Sequence, residues 1–566
     1  MTPDARRASG TRRPSRGAAP QIDLRLAVPA AVGWVATAAA IGVRGASCPS
    51  AVAAAVVALS TGAAALALSR FPCIRRRIRN RVDTDTGTGT RTGGDRRDRV
   101  IRVLCAVAVS ASVAALLLGA AAAREPSRHP GALEDAVTTD GMVVADVVLD
   151  EPPAAMAGGA RRPGAGTGRL RLVGRLTTLH VGRERGGALH DGTVALPVPV
   201  PVVVFATGGT PPGLARLGVG TAVRISASVR PAAPADRAAY LLLARGAPET
   251  VSPPTGALGP ADALRAGLSR TAADLPGPGA RLLPGLAIGD VSAVTPELSQ
   301  TMKDSSLTHL TAVSGANCAV VVGLVLALAA AAGLRRPLRA VAASAALAAF
   351  VVLVTPQPSV LRAAVMAAVL IASTASGRPA RGLPALALAV VVLVTADPWL
   401  AREVGFALSV LATAGLLVLA PPIAARLGRR MPQRVAGALA IPIAAQIACQ
   451  PVLLVLQPGL PVHGVVANLL AEPAAAPATV GGLAACVLLP VWPAAGGLLL
   501  RLAWLPASWI AAVAAVMSRL PGGRIPWPTG PAGVVALVVA TALAIAVAAL
   551  GSAGADRRPG DVPPGG

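Results

Sequence analysis

The sequence predicts a polytopic α-helical membrane protein of about twelve spans, with a small all-β domain outside the membrane after the third span. Three observations predict it. Hydrophobic residues make up 54% of the 566 and charged residues only 14%, with a mean hydropathy of +0.62. A soluble chain of this length carries far more charge. Apolar runs of about 20 residues, the length a helix needs to cross the hydrocarbon core, recur near both ends of the chain. Between them, from Arg124 to about Pro260, short Val/Leu/Ile/Thr runs alternate with Gly/Pro clusters, the pattern of strands and turns.

Residues 1–23 form a basic tail, expected in the cytoplasm. No short apolar stretch with a cleavage site follows it, so the first span is expected to be retained. Three spans occupy 24–123, at Leu24–Val43, Ser50–Ser69 and Val100–Ala123. The loop 70–99 between the second and third is Arg-dense and low in complexity, as expected of a disordered cytoplasmic segment. Residues 124–260 hold five expected strands, in "GMVVADVVLD", "GRLRLVGRLTTLHVG", "TVALPVPVPVVVFATG", "GTAVRISASVR" and "AAYLLLARG". Five strands in this length fit a compact OB-like barrel, and the pattern alone equally allows a sandwich. Residues 261–306 read as an amphipathic linker, a short helix followed by a loop.

The second membrane block covers 307–551. Its expected spans are Leu310–Gly333, Leu338–Thr355, Ser359–Thr374, Leu383–Thr395, Val404–Ala420, Val435–Leu456, His463–Leu489, Ala494–Met517 and Ala532–Gly551. A second cytoplasmic tail, 552–566, follows. The formal net charge is +25, and the position of the arginines explains most of it. With the N-terminus inside, the inner segments include "GLRRPLR", "GRPARG", "ARLGRRMPQR" and the Arg-bearing tail. These obey the positive-inside rule. The outer segments "TPQPS" and "QPGLPV" carry no arginine, "DPWLARE" balances its charges, and "SRLPGGRIPWPTG" is a mild exception. This places the β domain on the outer side of the membrane, with both termini inside.

Polar residues inside apolar spans are the candidate functional residues, because hydrocarbon offers them no partners. "SSLTHLTAVSGANCAVVVGLVLAL" carries His309, Ser314, Gly315 and Asn317 into a span, with Ser314 and Asn317 three apart on one helical face. Two readings stand: a half-helix lining a hydrated path, or hydrogen-bonding glue between packed helices. Arg362 sits just inside a span, either as a functional cation or snorkelling to the near interface. Gln446 and Gln450 lie one turn apart between Pro442 and Pro451, which are expected to break their helix. Asn468 and Glu472 are four apart, with Pro473 and Pro477 just beyond.

The six cysteines are scattered, and the five histidines (His129, His180, His190, His309 and His463) lack ligand spacing. Neither a disulfide framework nor a metal site is expected. No GxxxxGK[ST] loop is present, so the chain is not expected to be its own ATP motor. No cofactor and no enzymatic activity are expected.

Four segments also resemble the ComEC competence-protein family: "LTHLTAVSGAN" (Leu307–Asn317), "PSVLRAAVMA" (Pro358–Ala367), "DPWLAREVGFALSVLATAGLLVLAP" (Asp397–Pro421) and "ANLLAEPAAAP" (Ala467–Pro477). The first is specific and the others support it. The likeness spans roughly residues 25–550 and includes the position of the β domain. The resemblance implies a channel carrying single-stranded DNA across the cytoplasmic membrane in natural transformation. The path residues it points to are His309, Ser314, Gly315, Asn317, Arg362, Gln446, Asn468 and Glu472. In the β domain, Arg161, Arg162, Arg169, Arg171, Arg175, Arg183 and Arg185 offer a basic face or merely solvate loops. Phe205 and Tyr240 offer the aromatics on which bases stack. Implied partners are single-stranded DNA, a competence DNA receptor on the outer face, a cytoplasmic helicase or ATPase motor and a homo-oligomer. Longer family members continue into a metallo-β-lactamase-like domain. No such domain follows the last span, so nuclease activity is expected to come from a separate protein. Two other functions compete with the channel: a diverged, non-transporting paralogue, and a permease for small molecules or lipid-linked sugars.

Overall fold

A computed structural model describes residues 24–70, 92–139, 142–156, 169–185, 188–207, 217–311, 315–354, 358–375, 382–457 and 459–555. The outer tails and most of the 70–99 loop lie outside these. In its described residues, every apolar run read as a span is mainly helical, because a helix satisfies its backbone groups internally and lipid cannot. The N-terminal block is α1 (Ala27–Ala40), α2 (Ser47–Arg70) and α3 (Thr92–Arg128), followed by the short α4 (Gly131–Thr138). The second block runs α5 (Leu258–Ala273), α6 (Gly277–Ile288), α7 (Pro296–Asp304), α8 (Thr308–Thr311), α9 (Gly315–Ala331), α10 (Arg336–Val354), α11 (Pro358–Ala375) and α12 (Gly382–Ala396). It continues through a 3₁₀ turn (Pro398–Arg402), α13 (Val404–Val418), α14 (Ala420–Leu427), α15 (Gln433–Leu456), α16 (Gly464–Leu488), α17 (Pro493–Arg519) and α18 (Gly530–Ala555).

Among the described residues, six helices are long and apolar enough to cross a membrane, and a seventh span forms if α13 and α14, bent by 44°, count as one. Five shorter apolar helices account for the remaining runs. The outside of the bundle is apolar: Leu59, Val35 and Val341 are well exposed. A surface of this kind is suited to lipid as its solvent. The break between Val418 and Ala420 falls inside a run read as one span, with Pro421 and Pro422 just beyond. The expected breaks at Pro442 and Pro451 do not occur: α15 continues through them, as α16 does through Pro473 and Pro477. Neighbouring helices can re-satisfy the carbonyls a proline frees, which is why membrane helices tolerate it.

The β domain is a closed barrel. Its strands are β1 (Met142–Leu149), β2 (Ala154–Met156), β3 (Arg169–Arg185), β4 (Ala188–Thr207), β5 (Ala222–Pro231), β6 (Tyr240–Arg245) and β7 (Glu249–Ser252). Five of them close the ring in the order β1-β3-β4-β6-β5, with β5 returning to β1. Only β4 and β6 run parallel. The short β2 and β7, unread in the sequence, extend its edges on β3 and β5. Alternation decides which side chains fill it. Val143, Ala145, Val147 and Leu149 of β1 point inward, as do Val223, Ile225, Ala227 and Val229 of β5. They meet Leu172, Leu176, Val202, Val204 and Leu242 in one core. Gly174 lets β3 approach β1 closely, since a Cβ there would collide with the Val148 carbonyl.

The linker is a further departure from expectation. Residues 258–304 form three helices, and α6 is part of the largest core, with Leu282, Leu283, Leu286, Ala287 and Ile288 packed against α16 and α17. Its "PGPGARLLPG" reads as a loop because of its prolines. Yet Pro276 caps the helix and Pro278 falls in its first turn, where a missing N–H costs nothing.

"DPWLARE", read as a plain outer loop, is the joint between barrel and membrane domain. Asp397 accepts from the Trp399 N–H (3.1 Å) and so starts the 3₁₀ turn. The Trp399 indole N–H donates to the Pro234 carbonyl in the β5–β6 loop (3.1 Å). Arg237 of the same loop pairs with Asp397 (3.1 Å). On the other side, the Trp34 indole of α1 donates to the Ala401 carbonyl (2.8 Å).

Candidate functional site

Three of the polar residues singled out in the sequence lie around Ser306, a residue that no pattern singled out. Ser306 sits between α7 and α8 with φ +62°, the only described non-glycine residue with positive φ. L-residues rarely adopt this conformation, and it costs about 1–3 kcal/mol. The turn is held by backbone bonds from Ser306 N–H to the Lys303 carbonyl (3.1 Å) and from Leu307 N–H to the Met302 carbonyl (2.9 Å). The His309 ring lies beside the Ser306 backbone. Against the Ser306 side chain lies Gly464, the first residue of α16: a Cβ there would stand 3.2 Å from Ser306 Oγ and 3.6 Å from Gln446 Oε1. The Gly464 carbonyl accepts from Asn468 Nδ2 (2.8 Å), and Gln446 Nε2 donates to Gln450 Oε1.

This junction is rich in polar atoms with unused capacity. Gln450 Nε2, His463 Nδ1 and Asn468 Oδ1 are buried and take no hydrogen bond among the described residues. Buried polar atoms of native proteins are nearly always paired, so three unpaired ones on α15, at the N-cap of α16 and in its first turns mark a region suited to water or a polar cargo. A small β pairing of Leu460–Pro461 (β8) with Arg524–Ile525 (β9) closes one side. Arg524, the exception to the charge rule, donates to Gln457 Oε1 (2.8 Å) and lies 3.7 Å from Asp304. Gln446 and Gln450 hydrogen-bond one another within α15, one turn apart.

The other path residues stand apart. Arg362 does not snorkel: it is 5% exposed, and its Nε donates to Ser409 Oγ on α13 (2.8 Å). Glu472 lies one turn beyond Asn468 on α16 and is exposed. Gly315 opens α9 and Asn317 sits half-buried in its first turn. Ser314 lies outside the described residues.

On the barrel, Arg171 and Phe205 are directly opposite each other on β3 and β4, and so share the outward face. Arg171 is exposed and Phe205 partly so. Arg175 lies four pairs along, opposite Pro201, with its guanidinium 3.0 Å from Asp150. Arg169 pairs with Thr207 at the end of the same ladder. Arg161 and Arg162 lie outside the described residues. Tyr240 corrects the sequence reading. It is 1% exposed, because β6 alternation turns it inward, and cannot serve as an outer stacking platform. Its hydroxyl meets His129 Nδ1 at 3.2 Å. Burial pushes the phenol up to about 12 and, helped by the nearby Arg44 and Arg128 charges, holds the His129 imidazole below its ordinary range.

A second ionic site crosses three strands. Asp146 of β1 takes Arg224 Nε (2.7 Å) and Nη2 (3.0 Å) from β5 and faces His180 Nε2 of β3 (3.1 Å). The bonds from Arg224 hold its carboxyl below the usual range, against desolvation that pushes it up. Arg224 and His180 could have been suspected from their outward register on strands, but not the pairing.

Residues 286–551 match the family described as Competence protein. The match runs from the last turns of α6 into α18, and so contains the Ser306 junction and Arg362 but not the barrel. No curated protein matches the chain, and no solved structure does.

Proposed function

Through residues 286–551 the chain belongs to the competence-protein family, and from that premise we propose that it conducts single-stranded DNA across the cytoplasmic membrane during DNA uptake. The observation that carries the reading is the docking of a barrel with a basic–aromatic outer pair, Arg171 and Phe205, onto the family domain through Trp399. The closed ring, with its first strand returning to its fourth and its third parallel to its fifth, supports reading the barrel as OB-type. The second and third strands of that fold, here β3 and β4, bind oligonucleotides. The barrel then receives the strand on the outer side, and the polar junction at Ser306 carries it towards the α15–α16 region. Both termini are cytoplasmic in this reading, and the shorter helices complete a twelve-span domain.

The chain is a conduit and not an enzyme in this proposal. A competence DNA receptor delivers the strand, a cytoplasmic helicase or ATPase moves it, a separate nuclease removes its complement, and the conduit works as a homo-oligomer. The test is uptake of marked chromosomal DNA in a clean deletion of a transformable host. The deletion is complemented by wild type, by Arg171→Ala/Phe205→Ala and by His309→Ala/Asn317→Ala, with membrane levels matched. Loss of uptake in the deletion and in both well-expressed double variants supports the conduit. Normal uptake in the deletion overturns it in favour of a non-transporting paralogue.

A further inference from the structure

Among the described residues, Arg362 is a buried cation without a counter-charge. Of its five N–H donors, Nε goes to Ser409 Oγ and Nη1 to Met366 Sδ at 3.2 Å, a weak acceptor. Among the described residues no carboxylate pairs with it and no acceptor takes Nη2. Its one titratable neighbour is the Cys318 thiol. Glu403 on the adjoining α13 is committed elsewhere, capping that helix at the Phe406 N–H (2.7 Å). Cys318 belongs to a buried apolar cluster that includes Val322, Val360 and Ala363.

Three helix beginnings also converge there. Cys318 lies in the first turn of α9, which opens at Gly315. Arg362 lies in the second turn of α11, which opens at Pro358. Ser409 lies in the second turn of α13, which opens at Val404. Each helix start carries a positive partial charge. A guanidinium added to three such ends makes a site of one sign. A buried charge left without a partner is costly, and a methionine would fill the same space without that cost. An arginine held by one hydroxyl and one thioether is therefore poised for an anion from outside the chain. Its planar fork suits the paired oxygens of a phosphate.

We propose that Arg362, near the N-terminal ends of α9, α11 and α13, binds a phosphate oxyanion, and that the oxyanion belongs to the backbone of the transported strand. The assignment of the strand rests on the function proposed above. The oxyanion site itself does not, and a phospholipid headgroup offers the same chemistry. In both cases the contact is sequence-independent, as a conduit for arbitrary DNA requires.

The test uses the full chain in maltoside micelles, free of phosphate, in the Arg171→Ala/Phe205→Ala background so that the barrel face is silent. Its melting temperature and ligand affinity are followed with inorganic phosphate, a dT30 oligonucleotide or short-chain phosphatidylglycerol. The expected result is stabilisation by phosphate and by dT30, with affinity for dT30 falling about tenfold or more in Arg362→Met, the loss of one charge-assisted contact. Arg362→Lys keeps the charge without the fork, should fold if Arg362→Met does not, and should fall between the two. Stabilisation by phosphatidylglycerol and not by dT30, lost in Arg362→Met, assigns the oxyanion to lipid and overturns the strand contact. Equal binding of all three ligands by wild type and by both variants overturns the site altogether. Normal DNA uptake in the deletion would defeat the conduit while leaving the phosphate and lipid arms of this test intact.

Discussion

The Arg128 guanidinium lies 3.7 Å over the Trp399 ring, and its Nη2 donates to the Asp236 carbonyl at 2.9 Å. One side chain at the end of α3 thus grips both the 3₁₀ turn of the membrane domain and the β5–β6 loop of the barrel. Arg128 is 7% exposed and Trp399 6%, so the contact is largely desolvated. Cation–π contacts of this kind are worth about 2 kcal/mol or more.

Trp399→Phe keeps a ring under Arg128 but removes the indole bond to Pro234. It should lower stability by about 1 kcal/mol. Trp399→Ala also removes the ring and should cost about 3–5 kcal/mol. Hydrogen exchange in the 232–239 loop should rise little in the first and strongly in the second. Unchanged exchange in Trp399→Ala would mean that the barrel is held by other contacts.

Acid should loosen the barrel before the helices. The carboxyl of Asp146 is held below its ordinary value, first by the bonds from Arg224. A group with a depressed folded pKa contributes stability above its unfolded pKa, about 3.9 for aspartate, and loses it as pH falls through the folded value. Barrel unfolding should therefore ease below about pH 4, and Asp146→Asn should flatten that dependence while lowering stability at neutral pH. Near-ultraviolet circular dichroism of the two proteins against pH checks this. Parallel curves would remove Asp146 from the account.

The sequence made the helices and the five main strands legible because their periodicities are strong. Lipid-facing helices need only length and hydropathy, and β1 and β5 alternate cleanly. It misread α6, whose Pro276 and Pro278 stand where a helix start accepts them, and the interior prolines of α6, α15 and α16, which neighbours can compensate. It named His309, Gln446 and Asn468 as polar oddities but not that they gather, because the gathering point is Ser306, an ordinary residue in an unusual conformation. Tyr240 was misassigned because pattern places an aromatic on a strand without saying which face it takes.

Ser306 supplies a third prediction. Glycine accepts φ +62° freely, so Ser306→Gly should stay within about 1 kcal/mol of wild type, the relief of strain offsetting the freer unfolded chain. Ser306→Val puts a β-branched side chain in a region closed to it and should destabilise by about 2 kcal/mol. Gly464→Ala should act on the same contact from the other side, pressing on Ser306 and shifting the His309 resonances. Thermal melting with histidine-selective NMR separates these outcomes. Indifference of His309 to both Ser306→Val and Gly464→Ala would show that the junction is not one unit.

Burial of one aromatic and exposure of the other divide their roles. Tyr240→Phe removes a hydroxyl whose partner is His129, and should cost the barrel about 1 kcal/mol with no change in affinity for a single-stranded oligonucleotide. Phe205→Ala leaves the core untouched but removes an outward ring beside Arg171. Base stacking on such a ring is worth about 1–3 kcal/mol, so affinity should fall by roughly 5- to 150-fold. Arg171→Gln should weaken binding for every sequence and reduce the salt dependence by about one counterion. Fluorescence anisotropy with a labelled oligonucleotide across a salt series measures all three. If Tyr240→Phe and Phe205→Ala weaken binding equally, both act through barrel stability, and the strand contacts a different face.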